Sequence, residues 1–424
     1  MKVLVVGSGG REHAVIRKLK ENKTIDEIIC APGNGGISAM ARCADVKATD
    51  LEGMRSLAKE EQVDFCVVTP DDPLALGMVD LLEADGIPCF GPSKDAAIIE
   101  ASKVFSKNLM KKYGIPTAAY EVFDDAQKAV DYIRTQNSFP AVIKADGLAL
   151  GKGVLIAQTM ADAEEAVKEI MIDQAFGGAG ARVVVEEFMT GPEVSVLAFT
   201  DGKTICPMVS SMDHKRANDN DQGLNTGGMG TIAPSPYYTE ETAKQCMEEI
   251  FVPTMNAMNA EGRTFRGCLY FGLMLTPKGP RVVEYNCRFG DPETQVVLPL
   301  LDSDLFEIMQ ACRNGSLSDI DIRWKDGAAA CVIEASGGYP ESYKKGYEIY
   351  GLDENGQREG VFVYHAGTKK ENGAYLTNGG RVLGITALGK DLDEALDRSY
   401  AAVKEIGFEN MHYRTDIGRK LRKQ

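Results

Sequence analysis

Within the first hundred residues, short apolar runs alternate with helical stripes, a pattern that few architectures accommodate. Residues 3–6 form a four-residue apolar run that stops at Gly7-Ser8-Gly9-Gly10, and Ala14, Val15, Ile16 and Leu19 then recur at helical spacing. Residues 27–30, 64–68 and 87–90 read as further strands, and residues 74–82 as an apolar-faced helix ending near Gly86. Continuous rather than alternating apolar character marks strands covered on both faces. Strands that alternate with helices predict a parallel, doubly wound sheet.

The remaining chain changes character twice. At 424 residues it exceeds what one hydrophobic core organises, so several domains are expected. Residues 102–113 predict a helix with Phe105, Leu109 and Tyr113 on one face, stopped by Gly114 and Pro116. From 117 to about 325 the pattern is α+β. Strand-like segments lie at 141–145, 154–157, 182–188, 194–200, 205–210, 268–275 and 281–286, with turns at Asp201-Gly202 and 276–280 and a helix over 239–259. Beyond 326, strands at 328–334, 361–365 and 382–388 precede a helix at 391–406, and the basic tail 419–423 reads as a solvated end. The expected division is therefore 1–102, 103–325 and 326–424.

Composition excludes several classes. The ten cysteines form no CxxC pair and sit mostly in apolar segments, which marks them as reduced core residues rather than a disulfide or zinc framework. Only four histidines occur, none at helical metal-ligand spacing. A net charge of −15 argues against a nucleic-acid partner but leaves anionic small substrates open. No apolar run approaches the ~20 residues that cross a bilayer. The amino end is a strand and turn rather than a signal peptide, so no membrane partner and a cytoplasmic location are expected.

Several segments carry candidate chemistry. GSGGRE (7–12) follows a strand and opens a helix, a geometry that offers backbone N–H groups to a phosphate or carboxylate, or is a plain turn. Glu12 stands where a dinucleotide fingerprint needs its third glycine, which speaks against a nicotinamide enzyme. Lys103 opens a helix, Lys144 lies in the strand at 141–145, and ADGLALGKGV (145–154) follows with Gly151, Lys152 and Gly153. Lysine charge beside a glycine loop suits a phosphate clamp. It is not a Walker motif, because no Ser or Thr follows Lys152. Glu186, Phe188 and Glu193 end a β-branched run, where free backbone and carboxylates can meet an adenine edge and ribose hydroxyls, or simply face solvent. In RVVEYN (281–286), alternation puts Glu284 and Asn286 on one face, with Arg288 continuing the parity. Two oxygens and a guanidinium suit Mg²⁺ with a phosphate or carboxylate. The polar stretch 212–236 carries Asp213, His214, Lys215 and Arg216 at one end and Thr226, Gly227, Gly228 and Gly230 further on.

Taken in order, these segments resemble the phosphoribosylamine–glycine ligase family of ATP-grasp enzymes. The likeness rests on GSGGREH (7–13), APGNGG (31–36), FGPSKDAA (90–97), SKVFSK (102–107), GIPTAAY (114–120), IKADGLALGKGV (143–154) and EEFMTGPE (186–193). DHKR (213–216), NTGGMG (225–230) and EYNCRFGDPETQ (284–295) narrow it to that family, and HAGT (365–368) and NGGRVLGITALG (378–389) extend it to the third region. The resemblance implies an ATP-grasp middle domain with a mobile lid at about 122–190 and a small α+β third domain. It also implies ligation of glycine to 5-phosphoribosylamine through a glycyl phosphate, with ATP as substrate and Mg²⁺, or Mn²⁺ in its place. Lys103, Lys144 and the loop 147–153 would hold phosphates, Glu186, Phe188 and Glu193 the nucleoside, and Glu284 and Asn286 the metal. Gly9, Gly10 and Asn34 would lie near the ribose phosphate, while Asp213, Lys215, Thr226, Gly227, Gly228, Arg288 and Asp291 would line the glycine and amine side. A monomer is the expected state. Two departures stand out. TPDDPL (69–74) carries Asp71 where the family reads glutamate, and YFGLMLT (270–276) lacks the second metal-binding carboxylate of many ATP-grasp enzymes.

Overall fold

The computed structural model describes residues 1–149 and 153–419. The expected Gly151 and Lys152 contacts, and the end of the basic tail, lie outside the described residues. Strands Lys2–Gly7, Glu27–Pro32, Arg42–Cys43, Phe65–Val68 and Cys89–Phe90 form a parallel sheet with Lys2–Gly7 in its middle. Both faces are covered, which explains the unbroken apolar runs. Val3 and Val5 pack with Val15, Ile16 and Leu19 on one side, while Leu4 and Val6 pack with Met54, Leu74 and Leu82 on the other. The helix expected over 74–82 is two helices, Asp71–Leu76 and Met78–Ala84, because Gly77 between them adopts φ +96°.

Helix Lys103–Tyr113 begins at Ser102, whose side chain accepts from the Phe105 N–H, and ends at Gly114 with φ +70°. Two four-stranded antiparallel sheets follow. One contains Tyr120–Phe123, Val183–Glu187, Ala141–Ala145 and Val154–Ala157, in that spatial order, over its own core of Ile133, Ile143, Ala163 and Val183. The other runs Ile205–Pro207, Glu193–Thr200, Gly267–Thr276 and Gly279–Asn286. Gly279–Asn286 carries a β-bulge, since Leu273 faces Val282 while Gly272 faces Glu284. Val283 is the extra residue. Pro280 and Val282 point inward before it, and Tyr285 points inward after it.

The polar stretch at 212–236 is not coil. Met212–Asp213 and Gly230–Ala233 are strands that pair onward to Ala328–Ser336, so a fourth sheet draws from both sides of residue 326. Its other strands are Arg381–Gly389, Phe362–His365 and Met411–His412. Between the first two, Arg216–Asn218 and Gln222–Asn225 form a hairpin. No helix of the described residues is long and apolar enough to cross a membrane.

Candidate active site

The two antiparallel sheets and the carboxyl edge of the parallel sheet enclose a cleft of about 740 Å³. Lys103, Lys144, Gly153, Glu186, Phe188, Glu193, Asp213, Lys215, Thr226, Gly227, Glu284, Asn286, Arg288 and Asp291 all line it, as does Asp71.

At one end two lysines converge on one carboxylate. Lys144 Nζ and Lys107 Nζ each lie 3.0 Å from Glu186 Oε2, with all three side chains buried. Lys107 follows Lys103 by one helical turn and so shares its face. Burial pushes the Glu186 carboxyl up, but the Lys144 and Lys107 charges outweigh it and hold the group below its usual range. Burial also pushes Lys107 down to about 8 against the pull of Glu186. Two ammonium groups against one carboxylate leave surplus positive charge, and Glu186 Oε1 is buried with no hydrogen-bond partner. Lys103 Nζ donates to the Gly147 carbonyl at 2.9 Å, which fixes the root of the glycine loop.

The bulge sets the next wall. Lys144 Nζ donates to the Val283 carbonyl at 3.2 Å, bringing the lysine beside the strand that presents Glu284 and Asn286. Arg288 Nη2 donates to Asn286 Oδ1 at 3.2 Å and pairs with buried Glu100 at 3.0 Å. Glu100 and Asp71 together hold the Arg288 charge against burial. Among the described residues no group of three or more His, Cys, Asp or Glu stands ready for a metal. Glu284 and Asn286 offer two oxygens, a donor set that fits Mg²⁺ completed by nucleotide phosphates and water.

At the far end, Lys215 Nζ lies 2.5 Å from Asp213 Oδ2 and 3.9 Å from Glu293 Oε1. Tyr270 OH donates to that same Glu293 oxygen at 3.1 Å, and Ser195 Oγ lies 2.8 Å from Tyr270 OH. Burial pushes Asp213 up to about 6, with Lys215 opposing and Glu293 adding to the rise.

Four expected substrate contacts are placed differently. The Gly9 N–H donates to Glu12 Oε2 at 2.5 Å, so the chain's own carboxylate takes that position at the helix start. Gly10 packs under Gln295, where a Cβ would come within 2.6 Å of Nε2. Asn34 spends its side chain on the Ser8 and His365 carbonyls and the Ile37 N–H, and braces the loop instead of facing the cleft. Gly228, at φ +118°, allows close approach to Asp213 and Pro292, not to the cleft itself. Lys107, Glu100, Glu293, Tyr270 and Arg381 were not among the expected residues. Of these, Lys107 alone carried a local signal, its four-residue spacing from Lys103.

Fold and cleft together define an ATP-grasp enzyme: two antiparallel sheets closing on a lysine-rich cavity, with a carboxylate–amide pair on the opposing strand. Biotin carboxylases share the architecture. The one from Campylobacter jejuni aligns with a TM-score of 0.75 at 15% identity, over 97% of this chain and 92% of that one. Family models of phosphoribosylglycinamide synthetase match its N domain at residues 1–100, its ATP-grasp domain at 101–294 and its C domain at 329–420. The chain therefore belongs to the phosphoribosylamine–glycine ligase family, a group of ATP-grasp ligases of purine biosynthesis. Relatives of that name from Clostridium acetobutylicum and Caulobacter vibrioides are 47% and 48% identical, each covering 99% of this chain and 100% and 98% of their own length. The crystal structure of phosphoribosylamine–glycine ligase from Thermotoga maritima aligns with a TM-score of 0.85 at 34% identity, covering 98% of this chain and all of that one.

Proposed function

We propose that this cleft joins glycine to 5-phosphoribosylamine at the expense of ATP, through a glycyl phosphate. The observation that carries the reading is that Lys144 and the Glu284–Asn286 strand line one cavity whose far end holds the Asp213–Lys215 pair. Lys103 and Lys144 hold the nucleotide phosphates, with Lys107 adding charge. The unpartnered Glu186 oxygen and Phe188 backbone take the adenine edge, and Glu193 the ribose. Glu284 and Asn286 hold Mg²⁺, or Mn²⁺ in its place, and the ion supplies charge neutralisation and alignment of the phosphate oxygens.

Carboxylates are poor acyl donors, so the glycine oxygen first attacks the γ-phosphorus and ADP leaves. The amine then attacks the acyl carbon and phosphate departs. Arg288 offsets the charge that accumulates on the transferred group, and Lys215 and Asp213 orient the acid and the incoming amine. Residues 1–102, 103–325 and 326–424 form three domains, the middle one binding the nucleotide under a lid at about 122–190, in a cytoplasmic monomer. A substrate-omission assay tests the reading. Phosphate release is expected only with ATP, Mg²⁺, glycine and phosphoribosylamine together, and release with another acid but not with glycine overturns it.

A further inference from the structure

The third region also reaches the site, with Arg381, Arg414 and Asp416 in the cleft wall. Arg381, the first residue of strand Arg381–Gly389, lines the cleft although it lies about ninety residues beyond the metal-site strand. A second β-bulge aims it there, since Glu334 faces Leu383 while Ala335 faces Arg381, which leaves Val382 as the extra residue.

Its guanidinium is turned onto protein acceptors. Nη1 donates to the Gly227 carbonyl at 2.7 Å and the Asp291 carbonyl at 2.9 Å, and Nη2 lies 3.3 Å from Asp291 Oδ1. Gly227 is glycine for this reason, because a Cβ would come within 2.9 Å of Arg381 Cζ. Asp291 in turn accepts from Gln295 Nε2 at 2.8 Å and from the Arg11 backbone at the start of the first helix. One planar fork thus ties the 227–228 turn, the 288–295 loop and the first glycine turn into a single wall. None of these contacts involves Lys103, Lys144, Glu186 or Glu284.

We propose that Arg381 is a positioning residue for the acceptor side of the site, which sets the binding of the phosphorylated amine while leaving the nucleotide side unaffected. The inference rests on the assignment of that end to phosphoribosylamine. A lysine supplies charge without the fork, so it restores only part of the geometry. Misplacing a bound reactant by a fraction of its contact distance costs rate steeply.

The test uses the full chain and the Arg381→Lys, Arg381→Met and Asp291→Asn variants. Wild-type turnover with glycine and phosphoribosylamine is measured first, and its absence overturns the assignment on which the proposal rests. In the variants, KM for phosphoribosylamine is expected to rise about tenfold or more, with kcat falling. Mg²⁺–ATP affinity, measured by calorimetry without the other substrates, is expected to stay within about twofold. Arg381→Lys should fall between wild type and Arg381→Met. Asp291→Asn keeps shape and removes the partner charge, so it reports the same split if Arg381→Met does not fold. An unchanged KM for the amine, or an equal loss of ATP affinity, overturns the proposal.

Discussion

Lys144 and Glu186 stand 3.0 Å apart with side chains only 5% and 3% exposed, and Lys107 closes on the same carboxylate oxygen. Removing Glu186 leaves two buried ammonium groups facing each other. Glu186→Gln should lower stability by about 3–5 kcal/mol, the usual cost of stranding a buried charge. Adding Lys107→Met should recover part of the loss, and urea unfolding of the double variant checks this. Simple additivity would show that the three groups do not act as a unit.

Glu284 faces the cleft beside Asn286, so its loss should affect turnover rather than folding. Glu284→Ala is expected to reduce metal-dependent phosphate release by about 100-fold or more. Thermal unfolding in the absence of nucleotide should change little. Near-normal turnover across a Mg²⁺ titration would refute the assignment of Glu284 as a ligand.

Asp213 links activity and stability to pH in opposite senses. With its carboxyl raised to about 6, acidification discharges the partner of Lys215, and kcat/KM for glycine should fall as pH drops through that value. For stability the sign reverses. A carboxyl whose folded pKa exceeds its ordinary 3.8 binds more protons folded than unfolded in that window, so its contribution is greatest at low pH and lost as pH rises through about 6. Relative to Asp213→Asn, wild type should therefore lose stability between pH 4 and 7, read by denaturant unfolding at each pH. A flat difference would place the acid limb on another group.

The carboxyl end of the chain clamps the hairpin that roofs the cleft. Buried Arg414 pairs with Asp221 at 3.0 Å and Asp416 at 2.8 Å and donates to the Arg216 carbonyl, while His412 lies 2.7 Å from the Ala217 carbonyl. Arg414→Ala should cost about 3–5 kcal/mol and expose the 216–225 hairpin to proteolysis. An unaltered digestion pattern would show that the hairpin holds its place without the clamp.

Much of this was legible in the residues themselves. The continuous apolar runs at 3–6 and 65–68 announced a doubly covered sheet, and Ser102, Gly114 and Pro116 bounded a helix by capping chemistry. Lys144 could be singled out as a charge inside a strand, and Glu284 and Asn286 by the alternation that puts them on one face. Glycine was harder to read. Gly9 and Gly228 suggested backbone open to a ligand, yet their neighbours are Glu12 and Asp213, side chains of the same protein. Arg381 and Glu100 were invisible because nothing local distinguishes them from surface charge. The role of Arg381 arises from packing that brings residues 227, 291 and 381 together, and that of Glu100 from its pairing with Arg288.

The single inserted residue at Val283 makes strand Gly279–Asn286 unequally tolerant of change. Excising it would restore regular pairing without turning its neighbours over, so Glu284 and Asn286 would still face the cavity and Tyr285 the hydrocarbon. Removing Tyr285 instead would reverse the position that follows and drive Asn286 into hydrocarbon. A library of single deletions along this strand should therefore retain folded ligases at 283 and lose them at 285.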